Sequence, residues 1–209
     1  MAELDIKQLP NLAVATTRLD SEKFDKIKNE ALNLKEYGTK FLTGTSSLGT
    51  PGQYRLREYN HILSDEVCGM AQAFDKTFDI ISKNKIFTNP QLEFEGSDIW
   101  VNYQKKAEYL PMHVHEGVLS WVLWVQIPYD IEKERTGSKD NNGMTSCFAF
   151  NYSDICGHMQ AQSLPISKEH EGVLMMFPSK LQHIVYPFYT SDGERITISG
   201  NVKLQNKVE

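Results

Sequence analysis

The stretch "LPMHVHEGVLS" places two histidines, His113 and His115, one residue apart and just upstream of a strongly apolar run. Along a β-strand side chains alternate faces, so both imidazoles project to one side and can converge on a single ion. Glu116 points away from them unless the chain turns at Gly117. Two imidazoles leave coordination positions open, so a third ligand must come from elsewhere in the fold. Of the six histidines in the chain, His183 in "GVLMMFPSKLQHIVYP" is the best candidate, because it sits in a second β-like segment. His158 and His170 fall in or near loops, and His61 lies between two helical stretches. Arg195 in "SDGERITISGN" opens a strand, with Thr197 two residues on and hence on the same face. Its planar guanidinium can grip a carboxylate through two parallel hydrogen bonds. An arginine directed into an apolar barrel needs an anionic partner, and a small carboxylate ligand is a natural one. The same residues also suit bland roles: a histidine doublet is common on ordinary strands, and an arginine after a turn is common on surfaces.

Two kinds of element must position these groups. The stretch "DSEKFDKIKNEALNLKEYG" opens with Asp20 or Ser21 as a cap and places Phe24, Ile27, Ala31 and Leu32 at helical spacing, stopping near Gly38. A second amphipathic helix is predicted from Ser64, with Val67, Met70, Phe74, Phe78 and Ile81 on its apolar face. The intervening Gly-, Ser- and Thr-rich segment "GTKFLTGTSSLGTPGQYRL" reads as loop or hairpin. From about residue 91 the texture changes to short runs rich in β-branched and aromatic residues: "LEFEGSDIWVNYQ", "LSWVLWVQIPY", "TSCFAFNYS", "GVLMMFPS", "HIVYPFY" and "RITISGNVKL". The polar "DIEKERTGSKDNNG" between two of them reads as a solvated loop, and Trp121 and Trp124 as core. One domain is expected over residues 1–209, with a helical support region over 1–90 and a β-sandwich core over 91–205.

The totals exclude several classes. Hydrophobic residues make up 40% and charged residues 23%, the balance of a water-soluble globular chain. A net charge of −5 argues against a dedicated nucleic-acid partner. Cys68, Cys147 and Cys156 are odd in number and lack CxxC spacing, which points to a reducing compartment rather than a disulfide scaffold. No basic-then-apolar leader and no run of the roughly 18 apolar residues a membrane span needs is present, so a cytoplasmic location is expected. Oligomeric state is open, a homodimer included.

Taken in order, these residues resemble the iron(II)- and 2-oxoglutarate-dependent dioxygenases, whose fold is a double-stranded β-helix, or jelly roll. The family pattern of His-x-Asp/Glu, a distal His, and Arg or Lys about a dozen residues later maps onto His113-Val114-His115, His183 and Arg195-Ile196-Thr197. The match is closest to a small branch with a His-x-His first motif. That branch has a Trp-Val-Asn element (Trp100 to Asn102), a serine opening the next strand (Ser120), and Gly-x4-Phe-Pro-Ser (Gly172 to Ser179) before the distal His. The resemblance covers residues 98 to 203, about half of the chain. It implies a mainly β jelly roll with N-terminal helices packed on one sheet. It implies Fe(II) held by His113, His115 and His183, and 2-oxoglutarate bound by Arg195, Thr197 and Asn102. With O2, the cosubstrate would be decarboxylated to succinate and CO2 while a C–H bond of a peptide, nucleobase or small molecule is hydroxylated. Trp121, Leu123, Met175 and Phe177 would supply a dry lining. Two departures stand out: His115 replaces the usual carboxylate, so that Glu116 is the alternative ligand, and Ala107 occupies a turn where the branch tends to carry glycine.

Two other readings use the same residues differently. Gly172, Pro178 and His183 fit the second motif of a metal-dependent cupin, although Lys180 stands where that motif has glycine, and such an enzyme has no need of Arg195. A non-enzymatic jelly-roll binding module needs neither the metal nor the cosubstrate.

Overall fold

A computed structural model describes residues 12–37, 52–83, 90–94, 99–137 and 143–206, and its architecture is a jelly roll with helices on one face. The Gly- and Ser-rich stretch over 38–51 and the polar segment over 138–142 lie outside the described residues.

Eleven strands alternate with four α-helices among the described residues. Strand β1 (Ala15–Arg18) and helix α1 (Ser21–Tyr37) are followed by β2 (Gly52–Arg55), α2 (Asn60–Phe78) and α3 (Ile80–Lys83). Then come β3 (Pro90–Phe94), β4 (Trp100–Gln104), β5 (Leu110–His113), β6 (Leu119–Gln126), α4 (Ile131–Gly137), β7 (Cys147–Ser153), β8 (Met159–Pro165), β9 (Val173–Pro178), β10 (Gln182–Val185) and β11 (Arg195–Asn206). The major sheet has the order β1-β9-β6-β11-β4-β2, with β3 also on β11, and the minor sheet is β5-β10-β7-β8. Every pairing is antiparallel.

Period-two alternation gives the major sheet two different faces. On the helix side, Val101, Tyr103, Trp121, Leu123, Leu174, Met176, Ile196 and Ile198 form one core with Ile27, Ala31 and Leu34 of α1 and Leu63, Val67 and Phe74 of α2. On the barrel side, Val122, Trp124, Met175 and Phe177 meet Phe148, Phe150, Tyr129 and Phe188 in a second core. Trp121 and Leu123 were expected to line the reactive cavity with Met175 and Phe177. They face the helices instead, because their positions on β6 are one residue out of phase with Val122 and Trp124. Gly200 lies opposite Trp121, and a Cβ there would meet the indole at 2.6 Å, so this pair interlocks only with glycine.

Asp20 caps α1 as predicted, its Oδ1 accepting from the Glu22 amide at 2.9 Å. Leu32 is 42% exposed, and the buried position of that turn is Leu34. Helix α2 starts four residues before the predicted Ser64 and has no side-chain cap of its own. Glu30 of α1 takes that part: its carboxylate accepts from the amides of Arg57, Glu58 and Tyr59 at 2.8–2.9 Å, tying the helices together. The first ninety residues also contribute strands, since β1 extends the major sheet beside β9 and β2 extends it beside β4.

The segment read as a solvated loop is corrected most. Asp130 caps α4, accepting from the Glu132 amide at 2.9 Å, and Glu134 is fully buried. Its carboxylate accepts from the Tyr189 and Thr190 amides, the Thr190 hydroxyl and Ser146 Oγ. That satisfied carboxylate anchors the chain leading into β11, which an apolar residue could not do.

Candidate metal centre

Strand register brings the distant histidines together. His113 at the end of β5 pairs directly with His183 in β10, and β10 in turn pairs with β7 through His183 and Phe150. His115 lies two residues beyond His113, past the end of the strand. Its amide donates to the Ser179 carbonyl at 2.9 Å, and its own carbonyl accepts from Lys180 Nζ at 3.0 Å. Beneath it, Ser179 Oγ sits 2.9 Å from Ser120 Oγ, which donates to Asn201 Oδ1 at 2.7 Å. Ser120, Ser179 and Asn201 therefore lock the turn that carries His115. Gly117 completes the bend at φ +84, where a Cβ would strike the Val202 carbonyl oxygen at 2.5 Å.

One nitrogen from each of His113, His115 and His183 lies within 4.8 Å of the others. Their ring centroids stand 4.2 to 5.0 Å apart. His113 Nδ1 is 2.6 Å from the Pro111 carbonyl and His183 Nδ1 is 2.9 Å from the Leu181 carbonyl. A carbonyl can only accept, so each Nδ1 carries the proton and each Nε2 offers its lone pair to the space between the rings. His115 Nε2 and His183 Nε2 are 3.2 Å apart. Two nitrogens bound to one ion at about 2.1 Å each stand roughly 3.0–3.4 Å apart, so the separation suits a shared metal. Burial holds all three imidazoles neutral. It lowers the pKa of His113, and with the repulsion that a protonated His113 would add it takes His115 to about 4 and His183 to about 3. A neutral, convergent, all-nitrogen donor set fits a divalent first-row metal. Glu116 is exposed and stands outside the cluster.

Aromatic rings wall the site: Phe177, Phe148 and Phe150 lie 4.9, 5.5 and 6.4 Å from His183, and Trp100 lies 5.8 Å from His115. From Trp100 a ladder of side chains runs along the barrel face of β4 and β11, through the pairs Trp100–Ser199, Asn102–Thr197 and Gln104–Arg195. Asn102 donates to Thr197 Oγ1 at 3.2 Å and Ser199 Oγ at 3.3 Å, and its Oδ1 accepts from Gln53 at 2.8 Å.

At the far end of the ladder Arg195 is buried, 2% exposed. It donates to Gln104 Oε1 at 2.9 and 2.6 Å, to Tyr129 Oη at 3.0 Å, and to the carbonyls of Ser146 and Tyr186 at 3.3 and 2.6 Å. All of these acceptors are neutral. Among the described residues no carboxylate stands within ion-pair distance of this buried cation; Glu134 reaches it only through Ser146. A buried guanidinium balanced only by dipoles is a ready seat for an anion.

Sequence reasoning did not single out Gln104, Tyr129 or Ser146. Gln104 was legible in principle, two residues from Asn102 on the same strand face, whereas Tyr129 and Ser146 reach Arg195 only through the fold. A groove of about 600 Å3 bounded by Leu32, Lys35, Tyr103, Lys106, Asp192 and Glu194 contains none of the histidines. Lys35 pairs there with Glu194 and Lys106 with Asp192.

Comparison with known proteins agrees with this geometry. Residues 98–201 match the family model described as "Putative 2OG-Fe(II) oxygenase". No protein of curated function matches the chain significantly. Among solved structures, the chain is similar to a prolyl-4-hydroxylase from Pseudomonas putida (TM-score 0.58, 12% identity, 92% of each chain covered). It is also similar to the non-haem α-ketoglutarate-dependent epimerase SnoN of nogalamycin biosynthesis (TM-score 0.58, 12% identity, 92% of this chain and 76% of that one). A third similar structure is a 2OG-Fe(II) oxygenase family oxidoreductase from Burkholderia pseudomallei (TM-score 0.53, 12% identity, 92% and 85% covered). At such identities the likeness establishes the double-stranded β-helix fold.

Proposed function

Because this chain belongs to the 2OG-Fe(II) oxygenases, an enzyme family using Fe(II), 2-oxoglutarate and O2, we propose that His113, His115 and His183 are its iron ligands and Arg195 its cosubstrate anchor. The observation that carries the reading is the pairing of two unusual features inside the barrel, one on each sheet. One is a convergent set of neutral imidazoles, and the other is a buried guanidinium with no bonded carboxylate. The bound iron supplies the redox chemistry that couples decarboxylation of 2-oxoglutarate to oxidation of a C–H bond.

The residues of the chain supply the rest. Arg195 pairs with the distal carboxylate of 2-oxoglutarate, with Gln104 and Tyr129 holding the guanidinium in place. Thr197 and Asn102, midway along the ladder, offer hydroxyl and amide groups to the body of the cosubstrate. Phe148, Phe150, Phe177 and Trp100 keep water away from the histidines. The branch substitution of His115 for a carboxylate leaves the ion with three neutral ligands, so the dianionic cosubstrate supplies the charge compensation that a protein carboxylate gives in the commoner triad. Neighbours of this fold include a prolyl hydroxylase and an epimerase, so the bond attacked is set by the groups around the barrel mouth, not by the fold. We assign a hydroxylation to this chain as the default outcome of that chemistry.

The test is an anaerobic titration of 2-oxoglutarate into the iron-loaded protein, with wild type and Arg195→Ala side by side. Saturable binding that is weakened at least tenfold in the variant supports the assignment. No binding, or equal binding by both proteins, rejects the cosubstrate role of Arg195.

A further inference from the structure

We propose that Asp154, Cys156 and His158, at the tip of the β7–β8 hairpin, form a second metal site for a zinc-like divalent cation. The tip reads Ser153-Asp154-Ile155-Cys156-Gly157-His158-Met159, which spaces three different donors one residue apart. One ligand atom from each lies within 4.8 Å of the others.

The loop is built around the aspartate. Its amide donates to the His158 carbonyl at 2.9 Å, its carbonyl accepts from the Gly157 amide at 3.0 Å, and Gly157 makes the turn at φ +84. Asp154 Oδ1 accepts from the amides of Cys156 and His158 at 2.9 and 3.0 Å. The backbone thus wraps one carboxylate oxygen and holds the Cys156 and His158 side chains beside it. The second oxygen, Oδ2, accepts from Gln160 Nε2 at 2.9 Å and keeps a lone pair. His158 Nδ1 stands 3.5 Å from that oxygen. This is long for a hydrogen bond but close to the edge, about 3.3 Å, of a tetrahedron whose ligands lie about 2.0 Å from the ion.

The donor set chooses the ion. Thiolate, imidazole and carboxylate together suit a borderline cation of the zinc class, and three protein ligands leave a fourth position for water. The triad on β5 and β10 offers nitrogen alone. Cys156 and His158 are exposed, so the ion reaches them without a conformational change. The site depends on none of the oxygenase residues, and its success or failure leaves the reading of the triad untouched.

Cobalt(II) tests it, because a thiolate–cobalt bond gives an intense near-ultraviolet charge-transfer band that an all-nitrogen site cannot. Metal-free full-length protein is titrated with cobalt(II), followed by zinc(II). We expect a band that saturates at one thiolate-bound cobalt per chain and is bleached by zinc. It should survive in His183→Ala, vanish in Cys156→Ala, and require at least tenfold more cobalt in His158→Ala. The proposal is overturned if no band appears at saturating cobalt, if it persists in Cys156→Ala, or if His158→Ala binds with wild-type affinity. Both substitutions lie at an exposed hairpin tip, and circular dichroism confirms that each variant is folded.

Discussion

His183 is the residue on which the site turns. It is 2% exposed, pairs with His113 across β5 and β10, and sits 3.2 Å from His115 between Nε2 atoms. His183→Ala should therefore lose iron by more than the roughly 100-fold that removal of an outer partner costs, with no succinate formed; metal retention after desalting measures it. His115→Ala should be nearly as severe, whereas His115→Asp should keep iron and part of the activity, since it restores the commoner two-histidine, one-carboxylate set. Full iron affinity in His115→Ala would remove His115 from the ligand set and return Glu116 to consideration. At the other end of the ladder, Arg195 as the proposed cosubstrate anchor would contribute charge-assisted hydrogen bonds to the 2-oxoglutarate carboxylate, each worth about 1.5–3 kcal/mol. That magnitude corresponds to a 2-oxoglutarate affinity roughly 10- to 100-fold weaker in Arg195→Ala, seen as a raised KM with a smaller change in kcat.

Among the elements, one buried carboxylate ties the two long helices together. Glu30 is 2% exposed and satisfies three amides at the start of α2, which has no side-chain cap of its own. Glu30→Ala strands those donors and should cost roughly 2–3 kcal/mol, seen in urea as a lower midpoint with an unchanged m value. The turn between β4 and β5 carries the opposite kind of defect. Ala107 sits at φ +64, a left-handed conformation that penalises any Cβ. Ala107→Gly should therefore raise stability by about 1 kcal/mol, after its greater unfolded-state entropy is set against the relieved strain. A destabilised Ala107→Gly would mean that the unfolded-state entropy gained by glycine outweighs the strain relieved, since the amide hydrogen bond to the Phe188 carbonyl survives the substitution.

For the whole molecule, two cores carry the fold, one between the helices and the major sheet and one inside the barrel. The histidine triad borders the second, where Phe148, Phe150 and Phe177 pack against His183. Chelating the metal should lower the melting temperature without unfolding the protein, because an ion bound only by the native state adds about 2.7 kcal/mol at 100 times its dissociation constant. Unfolding on chelation would instead make the ion a structural support. No helix among the described residues is long and apolar enough to cross a membrane.

Local pattern settled the parts whose physics is local. Residue type and spacing singled out His113 and His115, although β5 ends at His113 and the turn tied to Ser179 places His115, while Asp20 announced the start of α1 and six apolar runs marked strands that the jelly roll uses. Strand β8 escaped because "MQAQSLP" is a polar edge with four exposed residues and no alternation to read. Glu134 escaped because an acid in an acidic run signals solvent, and only the fold reveals the amides that it satisfies. The phase of β6 likewise needed the tertiary structure, since its run of buried residues is apolar on both faces and does not say which tryptophan meets the helices. The amino-acid sequence by itself determined which side chains could bind an ion and an anion, because residue type and spacing carry that chemistry. Only the tertiary structure decided that three rings share one space while the guanidinium lacks a bonded carboxylate, because proximity across seventy residues is a property of strand register.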